Sequence, residues 1–118
     1  MVLQRKEKIK DRVIFRNTRT FNVLVKNDFF KLIGRKRKEE KQFFPLVATI
    51  ASKKKIKKAV QRNRAKRRLE EAYRLLKSEL ESEFKKFDYL IFFLEEKSIG
   101  AQFEILIQEI KRIKVNLK

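Results

Sequence analysis

The stretch from Phe87 to Leu94, Phe-Asp-Tyr-Leu-Ile-Phe-Phe-Leu, is the segment that decides the fold. It is almost continuously apolar over its whole length. A run of this length and composition predicts a β-strand that is covered on both faces, as the central strand of a sheet is. The rest of the chain must therefore supply neighbouring strands and covering helices.

Amphipathic helices are predicted on both sides of this strand along the chain. Upstream, apolar residues recur at spacings of three and four and predict a long helix over residues 58–85, with a stripe made of Leu69, Ala72, Tyr73, Leu76, Leu80 and Phe84. Downstream, a similar stripe from Ile99 to Leu117 predicts a terminal helix. Each stripe should face the sheet.

Two further strands are predicted in the first half of the chain. Residues 21–26 alternate in a way that suits a half-buried strand, and Asn27 and Asp28 predict a turn after it. Residues 43–52 predict the second strand, with Pro45 near its start. We expect these two strands to pair antiparallel, with residues 29–33 as a helical turn and residues 34–42 as a polar loop. The sheet is then small and mixed, with three to four strands in an α+β fold.

The composition excludes several classes of function. The 118 residues suffice for one domain, and 42% of them are hydrophobic, which allows a core of ordinary size. There is no Cys and no His, so disulfides, thiolate zinc sites and a histidine general base are excluded. No apolar stretch is long enough to cross a bilayer and no apolar signal region follows the basic N-terminus. We therefore expect a cytoplasmic protein without a membrane partner.

The chain is strongly basic, and its charge is concentrated in one segment. The 33 Lys and Arg against 15 Asp and Glu give a formal net charge of +18, more than solubility requires. Residues 53–68 hold ten of these basic residues and no acidic one. A solvated surface is the ordinary interpretation of a basic run, but so many uncompensated charges repel one another in a folded chain. The segregation favours a polyanionic partner, nucleic acid above all.

Helical geometry divides this basic segment into two faces. Asn63 and Arg67 share one stripe of the predicted helix, whereas Arg62 and Lys66 share another. Arg can hold phosphate oxygens through two parallel hydrogen bonds, and Asn offers both a donor and an acceptor to a base or sugar. The residue types therefore suit contacts with RNA or DNA.

The same residues resemble the signature of a known family. Ser52-Lys53-Lys54 followed by Ala59-Val60-Gln61-Arg62-Asn63-Arg64-Ala65-Lys66-Arg67 is similar to the bacterial ribonuclease P protein component, in which a strand ends in Ser-Lys-Lys and a helix carries Arg-Asn-Arg-x-Lys-Arg. The helix, strand and terminal helix that follow also agree, so the resemblance runs from Phe43 to the C-terminus. Family members commonly have an Arg where this chain has Glu70, and Arg68 is the candidate to compensate from another face.

The resemblance implies a fold and a function. The fold is an α/β sandwich, shared with the second domain of a small-subunit ribosomal protein, whose long basic helix forms a left-handed crossover against the strong right-handed rule. The protein would be the accessory subunit of an RNA-catalysed endonuclease, binding ribonuclease P RNA and the 5′ leader of precursor tRNA. Leader removal is hydrolysis by the RNA with Mg²⁺ that the RNA mainly binds, so we expect no catalytic residue, metal ligand or organic cofactor in the protein.

The resemblance and the charge together indicate the RNA-binding residues. These are Lys53, Lys54, Lys58, Arg62, Asn63, Arg64, Lys66, Arg67 and Arg68. Aromatic side chains can stack on unpaired bases of the leader, and Phe15 and Phe21 are the candidates, although large aromatics are usually buried in a core. We expect one RNA-binding domain over residues 1–118, monomeric within a ribonucleoprotein, with residues 1–20 as a candidate flexible basic segment.

Three other functions can be compared with this one. A basic leucine zipper would share the basic helix, but the strand at Phe87 begins before a coiled coil could form. A stand-alone nuclease lacks the groups for its chemistry. A ribosomal or other structural RNA-binding protein suits the composition and charge equally well, and only the match over residues 52–68 argues against it.

Overall fold

One mixed sheet organises the structure. In the computed structural model, which describes residues 21–37 and 43–113, the strands β1 (Asn22–Lys26), β2 (Phe30–Lys36), β3 (Leu46–Ile50) and β4 (Phe87–Leu94) lie in the order β1-β2-β4-β3. β1 pairs with β2 and β2 with β4 antiparallel, whereas β3 and β4 are parallel. The predicted small mixed sheet and the central position of β4 are confirmed. The predictions for residues 1–20, including Phe15, lie outside the described residues.

Helices pack against one face of this sheet. They are α1 (Ala59–Leu76), α2 (Glu81–Phe84) and α3 (Phe103–Lys111), with a 3-10 turn at Glu96–Ile99 before α3. Because α1 joins the parallel neighbours β3 and β4, it is the predicted crossover helix. The left hand of the crossover stays a prediction. Within the described residues, no helix is both long and apolar enough to cross a membrane.

The core lies between the sheet and these helices. Tyr73 of α1 is fully buried, and its ring centroid lies 4.7 Å from that of Phe84 and 6.4 Å from that of Phe92. Phe92 in turn packs edge-on against Phe30 of β2, with ring centroids 5.6 Å apart. Burial of each such side chain contributes about 1.5–3 kcal/mol to stability. The apolar stripe of α1 therefore holds the helix on the sheet.

The strand β2 corrects the predicted pairing in the first half of the chain. The segment expected as a helical turn begins a strand that runs on to Lys36, so β1 pairs with β2 and not with the strand of residues 43–52. The predicted turn is present: Asn27 Oδ1 accepts hydrogen bonds from the N–H groups of Phe29 (2.8 Å) and Phe30 (2.9 Å). Two neighbouring strands satisfy the backbone of β2 on both edges, which outweighs the polar character of its second half.

The single long helix predicted over residues 58–85 is wrong beyond Leu76, where the helix is interrupted. The helix α1 ends at Leu76, and the chain turns before α2 begins at Glu81. Leu80 has φ −111° and ψ 29°, outside the α-helical region. The turn has a packing reason, because Leu80 and Phe84 are both buried (1% and 0% exposed) in the core that α1 also lines.

Replacement of Gly34 by Ala should destabilise the fold by about 1–3 kcal/mol because the site is already filled. A Cβ atom at Gly34 would lie 2.8 Å from Leu24 Cδ1 and 3.0 Å from both Leu90 Cδ2 and Phe87 Cδ1. Leu90 and Phe87 are fully buried, so they have no space into which to move. Urea unfolding would measure the change, with Gly100→Ala as the matched control because nothing lies within 4 Å of that position. Equal midpoints for the two variants would contradict the prediction.

Candidate functional site

The basic segment begins in a loop that the fold holds in place. Ile56 is buried (1% exposed), and its N–H group donates to the carbonyl of Ser52 at 2.9 Å. Lys55 forms an ion pair with Glu95, with 2.6 Å between Nζ and Oε1. The remaining lysines of the loop are exposed: Lys53, Lys54, Lys57 and Lys58. The loop therefore directs four cations to solvent next to the start of α1.

The predicted site residue Arg62 is committed to this loop. Its Nη1 atom donates to the carbonyl oxygens of Ile56 (2.9 Å) and Lys57 (2.8 Å). The side chain is only partly exposed. Arg62 thus fastens the first turn of α1 to the loop before it, which positions the neighbouring lysines.

Arg68 has a similar internal role further along α1. Its Nη1 atom donates to the carbonyls of Ser98 (3.1 Å) and Ile99 (3.0 Å), and its Nη2 atom donates to the carbonyl of Ala101. These carbonyls belong to the 3-10 turn and the residues that lead into α3. Arg68 therefore ties α1 to α3, and its guanidinium does not compensate for Glu70 on the exposed surface.

Glu70 lies on the sheet side of α1. The residue is 7% exposed, and Thr49 of β3 donates its hydroxyl hydrogen to Glu70 Oε1 at 3.4 Å. The position where family members commonly carry Arg thus points away from the exposed basic surface. The acid is therefore kept apart from the cations of the motif.

The exposed side of α1 carries the site residues that remain available. Asn63, Arg64 and Arg67 are exposed, and none of them makes a side-chain hydrogen bond or an ion pair with the described residues. Lys66 is half-buried. The first turn of α1 has neither a side-chain cap nor an acidic residue. Free guanidinium groups with uncapped backbone N–H groups nearby form a surface suited to phosphates.

A groove runs along this available surface between α1 and the start of α3. It has a volume of about 480 Å³ and is lined by Val60, Asn63, Arg64, Arg67, Arg68, Glu71 and Phe103. The α1 residues among them follow one helical stripe, and Phe103 is the first residue of α3. Four of the predicted RNA-binding residues thus line the groove together with Phe103, an aromatic residue that is not among the candidates predicted from the sequence.

Glu71, the one acid among the described residues that line the groove, is neutralised by a neighbour. Arg74 donates from Nε to Glu71 Oε2 at 3.1 Å and from Nη2 to Oε1. This hydrogen-bonded ion pair lowers the pKa of Glu71 to about 2 and raises the pKa of Arg74. Glu71 therefore stays ionised at neutral pH but adds little net repulsion toward an anion.

A second basic and aromatic surface lies on the opposite face of the sheet. Phe21 is half-buried there, with its ring centroid 6.3 Å from that of Tyr89. The Arg35 guanidinium lies 4.4 Å from the Tyr89 ring centroid, and Lys31 Nζ lies 5.8 Å from that of Phe93. Phe21 is one of the stacking candidates predicted from the sequence, whereas Tyr89, Phe93, Lys31 and Arg35 are not. In a strand, Lys31 and Arg35 lie on the same face as Ile33, and this spacing could have indicated a basic sheet face. The pattern was not usable because residues 29–33 are predicted from the sequence as a helical turn.

The structure gives the protein no metal-binding cluster within residues 21–37 and 43–113. No three carboxylates there lie close enough together to hold a metal ion. Glu71 and Glu95 are paired with Arg74 and Lys55, and Glu70 is buried against Thr49. These residues do not fit a Mg²⁺ site, so the role of Mg²⁺ stays a prediction about the RNA.

Replacement of Arg68 by Ala should destabilise the protein by about 2 kcal/mol, because it removes charge-assisted hydrogen bonds to three carbonyls that are partly shielded from water. Arg67→Ala is the matched control, since it removes the same charge from the adjacent, exposed position and should change stability by less than about 0.5 kcal/mol. Urea unfolding of both variants would check this. A destabilisation shared equally by the two variants would contradict an internal role for Arg68.

Comparison with known proteins places the chain in a family. The Ribonuclease P family matches residues 3–118. The RNase P protein of Staphylococcus aureus shares the fold with a TM-score of 0.68 at 19% identity, covering 92% of this chain and 93% of that one. A mutant of the S. aureus protein described as defective in mRNA degradation activity gives a TM-score of 0.71 at 21% identity, covering 93% and 87%. No curated protein matches. The family match spans almost the whole sequence, and the chain therefore belongs to the Ribonuclease P protein family.

Proposed function

We propose that the protein is the accessory subunit of ribonuclease P, acting in the cytoplasm as a monomer within the ribonucleoprotein. It binds the catalytic RNA through the exposed face of α1 and the 5′ leader of precursor tRNA through the opposite face of the sheet. The observation that carries this proposal is the group of unengaged side chains on α1, Asn63, Arg64 and Arg67, beside the exposed lysines of the preceding loop.

The charges on α1 support binding to a large polyanion. Arg64 and Arg67 are exposed and hold no acid among residues 21–37 and 43–113, so binding a phosphate breaks no ion pair within that part of the chain. Lys53, Lys54 and Lys58 extend the same positive surface toward the end of β3. An RNA backbone can satisfy all of these cations at once, and counterion release then adds to its affinity.

The sheet face supports the second contact. Phe21, Tyr89 and Phe93 present aromatic rings beside the cations Arg35 and Lys31. Unpaired bases stack on such rings, while nearby cations bind the backbone. Single-stranded RNA exposes both its base faces and its phosphate backbone, so it is the ligand that this surface fits. The leader of a precursor tRNA is single-stranded.

The chemistry of cleavage is assigned to the RNA. The protein sequence contains no His and no Cys, Glu71 and Glu95 are held by Arg74 and Lys55, and Glu70 is buried toward the sheet. A protein with these groups can bind and orient RNA, but it lacks an evident general base. We therefore expect no cleavage by the protein alone.

Reconstitution tests the proposal directly. The purified protein is added to a bacterial ribonuclease P RNA at low Mg²⁺, and removal of the 5′ leader from a precursor tRNA is followed, with protein alone and RNA alone as controls. We expect rapid cleavage only when both are present. RNA binding without any stimulation would instead indicate a ribosomal or other structural RNA-binding protein.

A pair of double variants tests the site assignment. Arg64→Ala with Arg67→Ala should weaken binding to the catalytic RNA and lower the slope of log K against log salt by about 1.5–2, since two phosphate contacts are lost. Arg62 is left unaltered because it holds the loop. Lys26→Ala with Lys86→Ala is the matched control, because both lysines are exposed and neither belongs to α1 or to the loop before it. Equal salt slopes in the two double variants would overturn the assignment.

A further inference from the structure

We propose that the groove between α1 and Phe103 takes one unpaired nucleobase of the bound RNA, stacked against the Phe103 ring, with its flanking phosphates on Arg64 and Arg67. This inference rests on the proposed function and adds to it the chemical class of the group that is recognised. It makes the α1 surface a reader of unstacked nucleotides as well as a phosphate-binding surface.

The shape of the groove suits a flat organic group. Its volume of about 480 Å³ lies within the range of roughly 300–1,000 Å³ typical of small-molecule sites. One wall is the α1 stripe that includes Val60 and Arg67, and the other is the half-buried Phe103 at the start of α3. Arg68 keeps the two walls together through its hydrogen bonds to the residues before α3.

The apolar surface of the groove is unexpected in a simple phosphate-binding face. Val60 is 79% exposed, although it lies in the most basic segment of the chain. A phosphate backbone gains nothing from contact with Val60 or Phe103, whereas the faces of a nucleobase do, because they remove apolar surface from water. The presence of both side chains in the groove therefore favours a base over a phosphate as its occupant.

The polar rim fixes the orientation of the occupant. The Asn63 side chain is exposed and can offer a donor and an acceptor to a base edge. Arg64 and Arg67 are available for the phosphates on either side of the base. Glu71 lies at the other end of the stripe and already holds Arg74, so Arg74 is less available to a phosphate than Arg64 and Arg67 are. The sugar–phosphate chain should therefore cross near Arg64 and Arg67.

The ligand must be an unpaired nucleotide. In a double-stranded RNA helix the base faces are covered by stacking and the deep major groove is too narrow for side chains. A base in a bulge, a loop or a single strand can leave the stack at small cost. The catalytic RNA therefore has to present such a nucleotide to α1.

The test uses two RNA hairpins of equal length and charge. One has a single-adenosine bulge, and the other has an abasic ribose at the same position. Binding of the full-length protein is measured by fluorescence anisotropy at one fixed salt concentration. We expect the adenosine bulge to bind about tenfold more tightly. Equal affinities for the two hairpins would show a contact with phosphate alone and would overturn the inference.

Variants locate the base contact. Phe103→Trp should keep the preference for adenosine, whereas Phe103→Leu should remove it while leaving the affinity for the abasic hairpin unchanged. Val60→Ser provides a variant that cannot disturb the core, because Val60 is exposed, and it should reduce the preference about threefold. A full preference in both Phe103→Leu and Val60→Ser would place the base elsewhere and overturn the inference.

The outcome is separable from that of the proposed function. If reconstitution shows no stimulation of cleavage while the adenosine preference persists and depends on Phe103, the base site stands and the ribonuclease P function fails. If cleavage is stimulated and the two hairpins bind equally, the function stands and the base site fails.

Discussion

The mutual repulsion of ten cations within residues 53–68 is the constraint on which the rest of the structure depends. The fold meets this constraint with a few internal contacts. Ile56 is buried beneath the loop, Arg62 binds loop carbonyls, and Arg68 binds the carbonyls that lead into α3. Within the described residues of this segment, only Lys55 is paired with an acid, Glu95. Arg62 and Arg68 are thus held by hydrogen bonds to neutral carbonyls, which anchor these two cations without neutralising them.

Local patterns in the sequence predicted the elements whose signals are self-contained. The continuous apolar run of β4 and the stripe of α1 are confirmed, and a terminal helix is present but begins at Phe103 and not at Ile99. The strand β2 was missed because Gly34 and the basic residues after it resemble a loop. Its strand conformation depends on pairing with β1 and with β4, a strand more than fifty residues away. Register of that kind is a tertiary effect that no local window contains.

The candidate site was likewise predictable from local sequence patterns only in part. The motif placed the basic residues on the correct helix, but it could not separate the arginines that the fold uses from those that are free. Arg68 reaches carbonyls thirty residues ahead in the chain, and Glu70 is turned toward Thr49 of β3. Phe103 belongs to no sequence motif, and it lines the groove only because α3 packs beside α1. The candidate site therefore combines residues that are distant in the sequence and close together only in the folded protein.

The start of α1 carries unpaired cations, whereas its end and the turn that follows carry ion pairs. Beyond the motif, acids are matched with cations: Glu71 with Arg74, Glu79 with Lys111, and Glu81 with Lys85. These pairs are mostly exposed and contribute little to stability, but they leave that end nearly neutral. An approaching polyanion is therefore attracted to the first half of α1 and not to the whole helix. The acidic end thus helps to orient the protein on its partner. RNA bound there would meet cations that are already in ion pairs, whereas RNA bound at the first half of α1 meets unpaired arginines.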